Sequence, residues 1–457
     1  MKKDMVLLLL VIISGVILFL SLFDFKNPIN IPGNIESNYF VITAGIDKAT
    51  DGTHKYKLTT IGEKFNSGSS KLSSSLGKTP EIVSAEGDTI FETVRNFALY
   101  KSKGMFWGHI KYLLISEDIA KENIIDVLDF FIRDHELRFD ISIVIVKDTT
   151  AESYIRAGDK IEQYMPDLLD GVFHNVGKLS MSSEVKLIDA MENFNNTYVS
   201  TFIPTIDMVS RKNSEVDSTP TTDKALPIGG GVPAGTTLTE ESSSKSSDSS
   251  KSSETSNFGV SSSESSSSSS KPKYVLYQNL NGYAVFDGGK LFGYLTDYMA
   301  RGLNWIKGII STGIIIIKDK NDKPLSMEII NSKSKIKTKV NDGKPEATIT
   351  IEFSTNLGEV MDQIDISNEE DTIKMIENQT KIIKEEAENV VKYAQKNGLD
   401  ILDISDVIHH QQPLEWNKMS DKWKEIFKTM KITVEVKSNI NRTYHIRQPI
   451  RSSGGGE

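Results

Sequence analysis

The chain of 457 residues contains no cysteine. That absence excludes disulfide staples, thiol nucleophiles, thiolate metal sites and thioether-linked lipid. Positive charge is also thin: 53 lysines and arginines face 62 aspartates and glutamates, a formal net charge of −9, and no long Lys/Arg block occurs. General nucleic-acid binding needs a basic face that displaces phosphate counterions, so this balance argues against it. Long apolar runs are scarce as well. One stretch, Met5 to Phe23, continues without a charge for about nineteen residues, enough to cross a hydrocarbon core of roughly 30 Å. With no second run of that length, a multi-span transporter is a poor reading.

Lys2 and Lys3 precede the apolar run. On the positive-inside tendency they hold the N-terminus in the cytoplasm, which puts the rest of the chain outside. The competing reading is a cleaved secretory signal, which needs a shorter apolar region and a small-x-small cleavage site. Leu20, Ser21, Leu22 and Phe23 stand there instead. The expectation is therefore a cytoplasmic stub and transmembrane signal anchor over 1–24.

Past the anchor the period of the pattern changes repeatedly. YFVITAGID and YKLTTIG flank Ala49-Thr50-Asp51-Gly52 and read as a hairpin. Thr89-Ile90-Phe91-Glu92 has capping-box spacing and opens a helical pattern. HIKYLLIS and DISIVIV read as strands separated by a helix, giving a first α+β domain over 38–212. From Thr236 to Lys273 the chain becomes serine-rich with almost no apolar side chain, the composition of a flexible linker, and the linker is expected over 213–272.

Order is expected again from Tyr274. YVLYQNLNGYAVFD and KLFGYL suggest a hairpin within a small middle lobe at 273–318. A C-terminal domain at 319–451 follows, with a second hairpin about Asn341-Asp342-Gly343-Lys344 and a long helix from Glu369 to Asn397 stopped by Gly398. Ile376, Ile383 and Val390 lie seven apart on that helix, but the short repeat favours a helix across its own sheet over a coiled-coil seam. A last helix from Glu415 to Thr429, a strand from Ile432 to Ser438 and a frayed SSGGGE tail complete the reading.

Chemistry-bearing patterns are weak throughout. His409 and His410 follow Asp403 and Asp406, yet adjacent histidines do not share the i, i+4 face of a helical metal site, and loop residues beside Pro413 are the plainer reading. Asp129, Asp134 and Glu136 surround Arg133, His135 and Arg138, the pattern of a solvated helix end. Gly229-Gly230-Gly231 lacks the Lys-Ser/Thr of a phosphate loop, and no GxSxG elbow occurs. Trp107, Trp305, Trp416 and Trp423 are expected in cores. No catalytic, cofactor-binding or metal residue is assigned.

Several strings, in order, resemble the Ger(x)C family, the C subunits of nutrient germinant receptors: ITAGIDKA (Ile42 to Ala49), GDTIFETVRNFA (Gly87 to Ala98), FWGHIKYLLISEDIAK (Phe106 to Lys121) and IDVLDFFIRDHELR (Ile125 to Arg138). GYAVFDGGKLFGYL (Gly282 to Leu295), GLDILDISDVIHHQQP (Gly398 to Pro413) and PLEWNKMSDKWKEIF (Pro413 to Phe427) continue it. The resemblance implies serial α+β ectodomains, expected with antiparallel sheets, in a non-catalytic subunit without cofactor. It further implies a place on the outer face of the inner spore membrane and assembly with A-type and permease-like B-type subunits. Family members commonly carry a lipobox cysteine, where this chain has Leu20-Ser21-Leu22-Phe23; a spanning helix holds a protein more firmly than one acyl chain. A membrane-anchored solute-binding protein is the alternative, and it requires a cleft between two lobes.

Overall fold

The computed structural model of the chain describes residues 38–65, 78–100, 104–160, 164–178, 180–212, 274–319, 321–360 and 368–442. The anchor expected over 1–24, the serine-rich segment 213–272 and the terminal tail lie outside these residues. No helix among them is long and apolar enough to cross a membrane.

β1 (Asn38–Lys48) and β2 (Tyr56–Phe65) form the expected hairpin, and β3 (Lys78–Gly87) extends it antiparallel. α1 (Ile90–Tyr100) starts where the capping pattern placed it: Thr89 Oγ1 accepts the Glu92 N–H, and Glu92 reaches back to accept the Asp88 N–H. Then follow β4 (Gly104–Phe106), β5 (Tyr112–Ser116), α2 (Glu117–Glu122), α3 (Ile124–Arg133), β6 (Ser142–Val146), α4 (Ala151–Lys160), α5 (Met165–Val176), α6 (Leu187–Asn195) and β7 (Phe202–Lys212).

The centre of this sheet corrects the antiparallel expectation, since β1, β5, β6 and β7 run parallel. Helical crossovers join parallel strands and cover both faces, so their strands read as unbroken apolar runs. All five residues of β5 (YLLIS) and of β6 (SIVIV) are buried. Leu113 and Ile115 point into a core with Phe97, Leu128 and Phe131, whereas Leu114 and Val144 meet Tyr154, Ile155 and Leu169 on the other side. Asp47, at the end of β1, accepts the Ala151 and Glu152 N–H groups and so caps α4 from across the fold.

β8 (Tyr274–Asp287) pairs antiparallel with β7, and β9 (Lys290–Leu295) closes the nine-stranded sheet. After α7 (Asp297–Lys307), a four-stranded sheet takes the order β10 (Gly313–Lys318), β11 (Pro324–Asn341), β12 (Lys344–Val360), β13 (Lys431–Arg442). The stretch 273–318, read from sequence as a separate middle lobe, is thus divided between two sheets. Strand alternation is the reason: Ala284 and Phe286 of β8 enter the first sheet's core, and Tyr283 and Val285 enter that of the second.

Asp342 and Gly343, both at positive φ, make the two-residue turn between β11 and β12. α8 (Glu369–Asn397) is capped by Asn368 and stopped by Gly398 at φ +68. It lies across its own sheet with Met375, Ile383, Ala387, Val390 and Ala394 buried, while Ile373 is left 48% exposed outside that stripe. The expected final helix is two, α10 (Pro413–Met419) and α11 (Trp423–Thr429), joined by a 3-10 turn.

His409 and His410 belong to the last turn of α9 (Ile404–Gln411) and not to a loop. The two glutamines beyond them close a sheet edge. Gln411 Oε1 accepts the Thr338 N–H, Gln412 Oε1 accepts the Val340 N–H, and Gln412 Nε2 donates to the Thr338 carbonyl. Their side-chain amides thus stand in for a neighbouring strand where β10 no longer covers β11.

Candidate functional site

The residues that touch across the two sheets converge on the β8–β9 turn and on the loop between α8 and α9. At the turn, the Gly289 carbonyl accepts the Ile124 N–H at 2.8 Å, so the hairpin tip sits on the first turn of α3. A Cβ on Gly289 would lie 2.0 Å from Asn123 Oδ1, the atom that caps Ile125, so any side chain there displaces that cap. Two residues earlier, Asp287 receives Lys424 of α11 at 2.9 Å. One short turn therefore contacts a helix of each unit.

Asp400 anchors the second contact. Its side chain accepts the Ile404 and Ser405 N–H groups at 3.1 and 2.8 Å and the Trp423 indole N–H at 3.2 Å. Its own carbonyl accepts the Ser200 N–H of the first unit at 3.0 Å. Asp400 is 2% exposed, and burial pushes its carboxyl up to about 6, against N–H donors that favour the charged form. Beside it, Asp403 at φ +60 binds Lys307 of α7, and Asp406 accepts from Asn196 at 2.7 Å.

Aromatic rings continue the seam. Tyr198 of the first unit meets Trp416 edge-on at 4.9 Å between centroids, Trp416 meets Trp423 at 5.2 Å, and Trp423 meets Phe427 at 5.8 Å. Such pairs contribute about 0.5–1.5 kcal/mol each beyond the area they bury. A cleft of about 500 Å³ opens alongside, lined by Asn193, Phe194, Thr197, Asp421 and Trp423 among others.

A buried polar web joins the units elsewhere. The Tyr283 hydroxyl donates to Asn304 Oδ1 at 2.7 Å, Asn304 Nδ2 donates to the Ser180 carbonyl at 2.9 Å, and the Ser180 hydroxyl bonds the Thr312 carbonyl. On the same helix as Asn304, Arg301 is clamped by Glu386 of α8, with Nε to Oε2 at 2.9 Å, and its Nη1 donates to the Ile314 carbonyl. Burial raises the Glu386 carboxyl above the usual glutamate range, against the pull of the guanidinium. A Cβ on neighbouring Gly302 would sit 2.4 Å from the Glu386 carbonyl oxygen, so the two helix backbones cross in contact there.

Of the other candidates from the sequence, the two histidines border this junction and the rest lie apart from it. His410 Nδ1 pairs with the Asp406 carbonyl, and His409 packs on Trp416. Arg133 binds Asp129, Arg138 binds Asp140, and His135 is 93% exposed, as a solvated helix end requires. Arg138 and Asp140 edge a recess of about 360 Å³ in which Lys111–Asp170 and Lys186–Glu184 pairs also neutralise one another. Asp51, His54 and Glu86 approach one another on the surface, a grouping the sequence reading did not single out; Asp51 lifts the His54 imidazole above its usual range by hydrogen bonding. All four tryptophans are buried. Asp400, Ser200, Asn304 and the Arg301–Glu386 pair carried no sequence signal; of the junction's aspartates only Asp403 and Asp406 stand out in the sequence, beside the histidine pair.

Comparison with known proteins adds the family. Residues 33–208 match the model for the "Spore germination protein N-terminal domain", and residues 281–444 match "Spore germination B3/ GerAC like, C-terminal". The serine-rich segment falls between the two. Spore germination protein KC of Bacillus subtilis (strain 168) is 23% identical over 422 residues, covering 89% of this chain and 90% of the relative. Spore germination protein B3 of the same organism is 25% identical over 405 residues, covering 86% and 88%. A solved structure titled "Crystal Structure of the GerBC protein" aligns over 87% of this chain and 96% of its own at 19% identity, with a TM-score of 0.47. The chain belongs to the Ger(x)C family, the C subunits of spore germinant receptors.

Proposed function

We propose that this chain is a non-catalytic receptor subunit that docks beside membrane partners and relays a signal between its two units. Met5 to Phe23 hold it in the inner spore membrane with the described residues on the outer face. The A-type and permease-like B-type subunits are its partners. The observation that carries the relay reading is the β8–β9 turn, engaged at once by α3 through Gly289 and by α11 through Asp287. A displacement imposed on either helix moves the same short turn, because both contacts are hydrogen-bonded and the flanking cores are close-packed.

The test is germination of spores lacking the gene, scored as loss of heat resistance against a panel of amino acids, sugars and salts. Failure to respond to a subset, with sporulation intact, is the expected result; unchanged germination with every nutrient would count against it. Restoring the gene with Gly289→Val then asks whether the turn matters: the relay reading requires that the protein still accumulate but respond poorly.

The second reading, a solute-binding protein, draws on the cleft beside Trp423. Calorimetric titration of the purified chain with the same nutrients separates the two. Saturable heat that Asp421→Ala, on the exposed rim of that cleft, removes would favour direct binding, and flat titrations would favour the relay.

A further inference from the structure

The outward face of the four-stranded sheet plays no part in the junction. Along β11, Ser332, Ser334, Ile336, Thr338 and Val340 are half-buried toward the helices, which turns Lys333, Lys335, Lys337 and Lys339 to the exposed side. Alternate residues on a strand stand about 6.8 Å apart, so the four ammonium groups form a row roughly 20 Å long. Like charges in such a row repel one another, and a fold has no packing reason to collect them there.

The register with β12 shows how little of that charge is offset. Thr350 and Thr348 stand opposite Lys335 and Lys337. Glu352 and Glu346 oppose only the two end lysines, Lys333 and Lys339, and each has a second lysine on its other side, Lys437 and Lys431 of β13. Glu352 is already held by Lys333 at 2.8 Å, with Lys437 at 3.9 Å. β13 adds one more carboxylate, Glu435, beyond Thr350. The half of the face beyond Asn331 therefore sets six lysines against three glutamates, with Glu328 and Glu359 toward the opposite end, on a chain whose formal net charge is −9.

We propose that this face rests against the phosphate headgroups of an anionic lipid surface, an inference that depends on the membrane-anchored reading above. Ammonium groups interleaved with threonine hydroxyls offer charge and hydrogen-bond donors to phosphate oxygens. The segment between Phe23 and Asn38 is fourteen residues, which reaches at most about 48 Å even when fully extended. A tether of that length keeps the domain beside the bilayer, so an attraction too weak to recruit a free protein suffices to orient this one. Anionic lipid supplies a continuous sheet of the complementary charge.

The test uses the full-length chain reconstituted in vesicles of phosphatidylcholine alone or mixed with phosphatidylglycerol. An amine-acylating reagent is applied, and modified lysines are read by mass spectrometry. Lys335 and Lys337 should label severalfold less on the mixed vesicles, with protection lost as salt is raised, while exposed Lys178 of the first unit labels equally on both. Each lysine beside an anionic surface is worth about a fivefold gain in occupancy, equivalent to ~1 kcal/mol. In Lys335→Glu/Lys337→Glu, protection of Lys333 and Lys339 should therefore disappear. Equal labelling on both vesicles overturns the proposal. So does protection that is the same on neutral lipid or indifferent to salt, because a protein surface or the chain itself would then cover the face. Carbonate extraction of the same vesicles reads the anchor separately: release of the chain would refute the anchored reading, whatever the lysine pattern.

Discussion

The indole of Trp423 donates to the carboxylate of Asp400 at 3.2 Å inside the second unit, while the Asp400 carbonyl accepts the Ser200 N–H from the first. One residue thus holds the start of α9, the start of α11 and the first unit's loop in a single arrangement.

Asp400→Ala should destabilise the chain by about 3 kcal/mol, because three buried donors lose their acceptor together. Asp400→Asn keeps the shape but turns an amide N–H toward donors, and about 1–2 kcal/mol of loss is expected. Denaturant unfolding followed by tryptophan fluorescence checks both, since Trp423 reports on the site directly.

Stability should depend on pH through the same group. Its pKa is about 6 in the folded chain and about 3.9 in an unfolded one, so the folded state holds the proton more tightly. The contribution is full below about pH 4, declines as pH rises through about 6, and amounts to roughly 3 kcal/mol over that window. Unfolding free energies measured across it should fall with pH in the parent and lose most of that slope in Asp400→Asn.

Arg301→Met should cost about 3–5 kcal/mol, since it leaves the buried Glu386 carboxyl unpaired. Replacing both, as Arg301→Met/Glu386→Leu, should recover most of the loss. A double-mutant cycle by thermal unfolding is the measurement, and equal damage from the single and double variants would show that the pair does not act as a unit.

Gln411→Ala/Gln412→Ala should change the unfolding free energy modestly and raise self-association, because it uncovers the β11 backbone at Thr338 and Val340. Light scattering at increasing protein concentration distinguishes this from simple destabilisation. A variant that stays monodisperse would show that the edge needs no cover.

Gly302→Ala tests the helix crossing. The added methyl meets the Glu386 carbonyl at 2.4 Å, so α7 and α8 must separate, and a loss of about 1–3 kcal/mol is expected from overpacking. The same substitution at Gly343, which has open space about it, should cost only the strain of its positive φ.

Much of the fold was legible before any coordinates. The Thr89–Glu92 spacing, the Asp342-Gly343 turn and the Gly398 stop each act within a few residues, and each appears where the pattern put it. The parallel centre was not legible, because an apolar run such as SIVIV says that both faces are buried and nothing about strand direction. Residues 273–318 were misread as a lobe because a hairpin pattern does not state which sheet it joins.

Local order and family membership were thus written in the sequence: capping, turn chemistry and hydrophobic period depend on neighbours along the chain, and the ordered strings from Ile42 to Phe427 carried the family resemblance. The tertiary structure alone decided the junction. Ser200 and Asp400, or Arg301 and Glu386, lie far apart in sequence and meet only when the two cores pack on opposite sides of β8. Their meaning comes from burial, since a carboxylate that would be ordinary in water becomes an acid near neutrality, or half of an obligate pair, once the fold has removed its solvent.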